Sequence, residues 1–196
     1  MGVSGILLFI NALACLIAGA TMEKSHGIIT RLTKLTETSL IIHWCTLEHG
    51  LIKTVAKGAR RPKSAFAGKL DLFFSGAINW APSRKSELHA LREVSVSDFR
   101  ENLRKSYRDT MLAAYFCDLL EFVAEKNHPV PELYDLLDRG LCYLAENGGD
   151  KRGMLHYEHE LARLSGVAHE RANAALALAQ AFGDLPRSRQ STLDAM

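Results

Sequence analysis

The spacing of apolar and polar positions divides the chain near residue 98. Upstream of that point, short runs rich in β-branched and aromatic residues alternate with turns, and segment 70–80 has apolar side chains at every second position. This period of two is typical of half-buried strands. Five short strands within about 75 residues predict a small closed barrel, and the five-stranded OB-fold is the most common fold of this kind.

Downstream of that point, the apolar positions follow a helical period instead. Asp98 and Glu101 are spaced as in a capping box and predict the start of a helical domain over residues 99–183. Pro131 suits the first turn of a second helix within this domain. The sequence therefore predicts an α+β protein, with an N-terminal OB-fold barrel over residues 22–98 and an all-helical C-terminal domain.

The remaining helices and the C-terminus are predicted from the same pattern. A third helix is expected over residues 151–164, and the alanine-rich stretch 168–182 predicts a fourth. The polar residues 184–196 are expected to be a disordered tail.

The first 21 residues have a different character. Residues 3–20 are almost entirely apolar, and their end at Ala20 resembles a signal-peptidase site. However, no Lys or Arg precedes the run, and its length is marginal for a membrane span. Three interpretations stay open: Met22 is the true initiator, the leader is a cleaved signal, or the leader is a membrane anchor. The first predicts a cytoplasmic protein with no membrane partner.

Charge is distributed unevenly between the two predicted domains. Residues 23–105 carry 15 Lys or Arg against 8 Asp or Glu, whereas residues 106–196 carry 9 against 14. A basic half attracts a polyanion and raises its local concentration, while an acidic half repels it. The N-terminal half is therefore expected to bind the polyanionic partner.

The strongest candidate for binding is residues 53–64, which we call the basic segment. It places five cations within eleven residues: Lys53, Lys57, Arg60, Arg61 and Lys63. Gly58 and Pro62 favour a loop over a helix. Guanidinium groups form bidentate hydrogen bonds with phosphate oxygens, and ammonium groups act as mobile point charges. The segment is therefore suited to binding a nucleic-acid backbone. A solvated basic loop without a ligand is the alternative interpretation.

The sequence also resembles the RecO family of recombination mediators. The resemblance is co-linear over residues 22–165, and it is carried by segments 27–32 and 37–42, the turn 48–50, residues 86–93 and above all residues 56–64. It implies an OB-fold that binds single- and double-stranded DNA, followed by a helical domain. It also implies that the protein acts together with RecR and single-stranded-DNA-binding protein to load RecA and to anneal strands. The acidic C-terminal tail of single-stranded-DNA-binding protein is an expected partner.

On this resemblance the five cations of the basic segment are phosphate contacts. Weaker candidates lie at neighbouring strand ends: Lys34, Lys69, Arg84 and Lys85. Either Phe66 or Phe73 is a candidate for stacking on a base, although Phe73 is also expected to pack against the helical domain. Many family members carry a four-cysteine zinc module after the third helix, and this chain has no cysteine there, so neither zinc nor another cofactor is expected.

Other functional classes receive less support from the sequence. The four cysteines form no CxxC pair, and the spacing of His156 and His159 does not match the HExxH pattern of zinc proteases. No covalent catalysis is expected. The main alternative is a protein-interaction module whose basic segment binds an acidic protein tail rather than DNA.

Overall fold

The computed structural model describes residues 21–168 and 173–196. The apolar leader lies outside these residues. The N-terminal half of the described chain has five strands: β1 Glu23–Lys34, β2 Leu40–Thr46, β3 Gly50–Ala56, β4 Ser75–Ala81 and β5 Leu88–Asp98. A short 3-10 helix, Glu101–Lys105, leads into the C-terminal half. The helices there are α1 Tyr107–Val123, α2 Pro131–Asn147, α3 Lys151–Leu164, α4 Ala174–Phe182 and α5 Ser188–Asp194.

The five strands form a closed barrel in the order β1-β2-β3-β5-β4. Every neighbouring pair is antiparallel except β3 and β5, which run parallel with Lys53 opposite Leu88. This is the OB-fold, and the predicted fold class is confirmed. Full closure leaves no unpaired strand edge along the barrel wall.

Alternation along each strand fills the barrel with apolar side chains. Trp44 and Trp80 are the largest of the fully buried side chains, and Ile29, Ile42 and Ile78 pack with them. The indole N–H of Trp44 donates to the hydroxyl of Thr54 at 2.8 Å, which satisfies the polar groups of both side chains inside the barrel.

The segment between β3 and β4 closes one end of the barrel. Phe66, Leu70 and Phe74 of this segment pack against the barrel core. The prediction of one continuous strand over residues 70–80 is wrong, because β4 begins only at Ser75. Phe73 has a φ of 70°, and this left-handed turn directs its ring into the helical core while Phe74 faces the barrel.

The helical domain is organised around α1. Buried leucines of α1, α2 and α3 form its core, and the rings of Phe116 and Tyr157 stack with centroids 3.8 Å apart. Pro131 occupies the first turn of α2 and α3 covers residues 151–164, as the sequence predicts. No helix among residues 21–168 and 173–196 is long and apolar enough to cross a membrane.

The predicted capping box at Asp98 and Glu101 is wrong. Asp98 is the last residue of β5, and its carboxylate accepts from the backbone N–H of Arg100 at 2.9 Å. The N-cap of α1 is Ser106, whose hydroxyl accepts from Asp109 N. The sequence spacing was right for a cap, but the chain first has to turn at Arg100, which has a φ of 43°.

Arg100 links the barrel to the helical domain. Its buried guanidinium donates to the carbonyl of Phe73 at 2.8 Å and pairs with Asp138 of α2. Because Phe73 precedes β4 and Asp138 lies on α2, one side chain joins the two halves of the fold.

The prediction of a disordered tail over residues 184–196 is also wrong. Residues 188–194 form α5, where Thr192 is fully buried and Arg189 pairs with Glu158 of α3 at 2.8 Å. The polar composition suggested disorder, but the buried carboxylate of Glu158 gives the polar helix a partner. Helix α4 begins at Ala174, and residues 169–172 of its predicted range lie outside the described residues.

Candidate nucleic-acid interface

The outer face of β2 and β3 presents side chains away from the barrel core. Even-numbered residues of β3 point inward, so Lys53 and Val55 project outward, and Lys57 follows directly after the strand. Ile41 and His43 of β2 lie opposite Val55 and Lys53 in the same sheet. In OB-folds, this face and the loops beside it bind oligonucleotides.

The basic segment continues from this face. Lys53 lies on β3 itself, whereas Lys57, Arg60, Arg61 and Lys63 are exposed on the loop that follows. Gly58 has a φ of 70°, a left-handed conformation that favours glycine, and starts a series of tight turns. The four loop cations are therefore displayed on a compact, hydrogen-bonded loop.

The loop between β1 and β2, residues 35–39, braces the basic segment. Arg60 N donates to Thr38 O at 3.0 Å, and Gly58 N donates to the hydroxyl of Ser39 at 3.4 Å. An open cleft of about 360 Å³ lies between the two loops and is lined by Lys57 and Arg61. Because the backbone is held by these bonds, less conformational entropy is lost when a ligand binds.

None of the five cations is neutralised by a carboxylate within the described chain. No carboxylate oxygen of residues 21–168 or 173–196 lies within 4.0 Å of their charged nitrogens. The nearest polar contact of the Arg60 guanidinium is the carbonyl of Glu37, at 3.4 Å. The five positive charges therefore remain available to an anionic ligand.

The weaker candidates lie in three places. Lys34 ends β1 and pairs with Glu37 at 2.8 Å, so part of its charge is offset. Arg84 and Lys85 are exposed on the loop between β4 and β5, just before Leu88 pairs with Lys53. Lys69 is exposed on the segment that closes the barrel. The fold thus brings Lys34, Arg84 and Lys85 to the border of this face.

Two further basic residues were missed by the sequence analysis. Arg31 and His43 lie beside Lys53 in one cross-strand row. Asp118 and Glu121 of α1 contact Arg31 at 2.9 and 3.1 Å, and Glu121 also lies 3.5 Å from His43. The row becomes visible only once strand register is known, and most of it is already paired with the helical domain.

His43 adds little positive charge to this row at neutral pH. Burial, together with the nearby Lys53 and Arg31 charges, lowers the pKa of His43, although Glu121 acts in the opposite direction. Lys53 has no carboxylate within 4.0 Å among the described residues, and it lines a cleft of about 230 Å³ together with Lys126, Glu87 and Glu121. Within this row, Lys53 is therefore the residue whose positive charge is best placed to contact an anionic ligand.

Neither phenylalanine candidate is an exposed ring. Phe73 is only 2% exposed and belongs to the helical core, so its predicted packing role is confirmed and its stacking role is wrong. Phe66 is half-buried because it packs against the barrel core. The basic segment therefore offers phosphate contacts without an exposed aromatic ring.

The described residues show no cluster suited to a metal ion. Within residues 21–168 and 173–196, no three His, Cys, Asp or Glu side chains converge on one point. His156 and His159 are exposed on α3, and the neighbouring Glu160 pairs with Arg163 at 2.9 Å.

Known proteins match both halves of the chain. A family model described as Recombination protein O N terminal matches residues 22–100, and one described as Recombination protein O C terminal matches residues 104–175. These limits correspond closely to the barrel and to the first three helices.

Curated relatives with the name DNA repair protein RecO are also similar to this chain. The relative from Syntrophotalea carbinolica is 33% identical over 132 residues, which is 67% of this chain and 51% of the relative. The relative from Syntrophus aciditrophicus is 26% identical over 146 residues, or 74% and 56%. A relative from Listeria monocytogenes is 34% identical over 115 residues, or 59% and 44%. The chain spans about half the length of these relatives, and the two family models together show that it belongs to the RecO family of DNA repair and recombination proteins.

Proposed function

We propose that this chain binds single- and double-stranded DNA through the basic segment and the β2–β3 face. The observation that carries the proposal is a set of five cations that have no carboxylate partner in the described chain. Four of them are exposed on a braced loop, and Lys53 is half-buried on β3. Lys53 lies on β3 and Lys57 is the first residue after it, and four residues of extended backbone span about 13 Å. That distance covers several phosphates of one strand.

The chemistry of this surface favours the DNA backbone over the bases. Guanidinium and ammonium groups contact phosphate and sugar in any sequence, and these contacts fix position rather than specificity. A loop that reads only phosphates accepts both single strands and duplexes. The proposed binding is therefore independent of sequence and strongly dependent on salt.

We extend the proposal to the mediator role suggested by the family. The protein would hold DNA without a covalent step, promote annealing of complementary strands and load RecA together with RecR. This work would place it in the cytoplasm. The interaction with the acidic tail of single-stranded-DNA-binding protein needs a second, basic surface on the protein.

A groove between α2 and α3 has the chemistry for such a tail. It encloses about 690 Å³ over an apolar floor that includes Leu136 and the stacked rings of Phe116 and Tyr157. Arg139 and Arg152 stand on its border, where they can pair with carboxylates of a peptide. This groove lies on the helical domain, so tail and DNA would occupy different surfaces.

Comparison of two double variants with the same net charge tests the DNA proposal. Arg60→Ala with Arg61→Ala should weaken binding of a fluorescent oligonucleotide at least tenfold, because two charged contacts are lost. The control, Lys151→Ala with Arg163→Ala, removes two exposed cations of α3 on the helical domain. It should change the affinity for DNA less than twofold.

Two results would contradict the proposal. Equal losses in the two double variants would mean that DNA responds only to net charge. Binding of an acidic peptide, but not DNA, by the basic segment would support the protein-interaction module instead.

A further inference from the structure

An exposed aromatic ring lies at the start of the helical domain. Among residues 21–168 and 173–196, the exposed aromatic side chains are Phe99, Tyr107, Tyr143 and Phe182, and Tyr107 is the most exposed at 74%. It opens α1 immediately after its N-cap, Ser106. An apolar ring of this size held in water offers a large surface for a ligand to cover.

The neighbours of Tyr107 are cations. Lys105 is exposed and has no carboxylate within 4.0 Å in the described part of the chain. The side chain of Arg108 remains about half exposed, and its nearest carboxylate, Asp109, lies 3.7 Å away. That carboxylate also accepts from Gly149 N at 2.7 Å, so it is shared. We call Lys105, Tyr107 and Arg108 the Tyr107 patch.

The 3-10 helix connects the Tyr107 patch to the segment that follows the basic loop. Arg104 donates to Leu72 O at 3.0 Å, pairs with Asp71 at 2.9 Å and lies over the ring of Phe74. The residue before the patch is thus fixed to the segment that closes the barrel. The patch therefore begins next to a residue that is held against the barrel.

We propose that the Tyr107 patch is a stacking site for an unpaired base of single-stranded nucleic acid, with Lys105 and Arg108 contacting the phosphates on either side. This inference rests on the proposed DNA binding and adds a feature that distinguishes single-stranded from double-stranded DNA. Base–aromatic stacking between flanking cations is the usual way in which proteins hold single strands without sequence preference.

The other candidate contacts in the described chain do not supply a stacking site, which is why we assign base stacking to Tyr107. Phosphate contacts alone do not discriminate between a single strand and a duplex, since both present phosphates. The basic segment contains no aromatic residue, and the nearby Phe66 and Phe73 pack against the two cores. In a duplex the bases already stack on each other, so an exposed tyrosine gains a base only from an unpaired strand.

The test compares an oligothymidine with a blunt duplex on full-length variants. Tyr107→Ala should weaken oligothymidine binding about tenfold, within the range for one stacked base, and leave duplex binding unchanged. Tyr107→Phe keeps the ring and should bind like the unaltered protein. Tyr143→Ala removes another exposed ring, on α2, and should change neither affinity.

A spectroscopic readout reports stacking directly. Trp44 and Trp80 are 1% and 2% exposed inside the barrel, so the indole in Tyr107→Trp would be exposed to solvent in contrast to both native tryptophans. Oligothymidine should quench its fluorescence, and the duplex should not.

Three results would overturn the inference. Normal binding of oligothymidine by Tyr107→Ala would assign the patch to a protein partner. Equal loss of both DNA forms would mean that the ring does not select single strands. In both cases weakening by the Arg60 and Arg61 changes would preserve the proposed function. If the unaltered protein bound neither DNA, both proposals would fail.

Discussion

Replacement of Arg189 tests whether the C-terminal helix is part of the fold. Its guanidinium donates to both carboxylate oxygens of Glu158, at 2.8 and 3.3 Å, and Glu158 is 0% exposed. Tyr115 is the other donor to that carboxylate, at 2.7 Å. Arg189→Ala would leave a buried charge with one neutral hydrogen bond.

The expected cost follows from the burial of the pair. Loss of one partner of a buried ion pair destabilises proteins by about 3–5 kcal/mol. We expect about 3 kcal/mol here, because Tyr115 still donates and the Arg189 side chain is 23% exposed. Arg163→Ala is the matched control, since its pair with Glu160 is on the surface and contributes at most about 0.5 kcal/mol.

Urea unfolding measures the difference. Far-UV circular dichroism reports the helices, whereas tryptophan fluorescence reports the barrel, where Trp44 and Trp80 both lie. Arg189→Ala should lower the free energy of unfolding of the helices, and the loss should shrink when Glu158 is also changed to Gln. Equal unfolding free energies of Arg189→Ala and Arg163→Ala would refute the reasoning. That result would favour the interpretation of residues 184–196 as a disordered tail.

Three further predictions concern the barrel and its link to the helices. Gly76→Ala should destabilise the barrel by about 2 kcal/mol in a urea titration, because the new β-carbon would lie 2.8 Å from Val96 Cα. Burial raises the pKa of Cys45 to about 12, so iodoacetamide should leave it unmodified at pH 8, and the unfolding free energy should fall as pH rises from 9 towards 12. Peptide mapping and alkaline unfolding curves check this. Arg100→Ala should cost about 2 kcal/mol by thermal melting, since Phe73 O loses its donor.

Local sequence patterns were sufficient to predict much of the fold. The alternation of side chains predicted the barrel, and the bounds of α3 follow from apolar spacing that begins after Asp150, its N-cap. The turn at Phe73 and helix α5 could not be predicted in this way. Both depend on partners far along the chain, the helical core in one case and Glu158 in the other.

The candidate site was predictable to the same extent. The basic segment is contiguous in sequence, so its five cations could be found by inspection. The pairing of Arg31 and His43 with Glu121 joins residues about 80–90 positions apart, and it became visible only in the folded chain. Tyr107 gave no signal in the sequence, because exposure of an aromatic residue follows from tertiary packing.

A salt titration of single-stranded DNA binding tests the central claim most directly. If all five cations of the basic segment contact phosphates, the log–log slope of affinity against salt should be about −3.5, roughly −0.7 for each contact. Arg60→Ala with Arg61→Ala should flatten the slope to about −2.1. A slope near zero, or one that the double change leaves intact, would contradict the account.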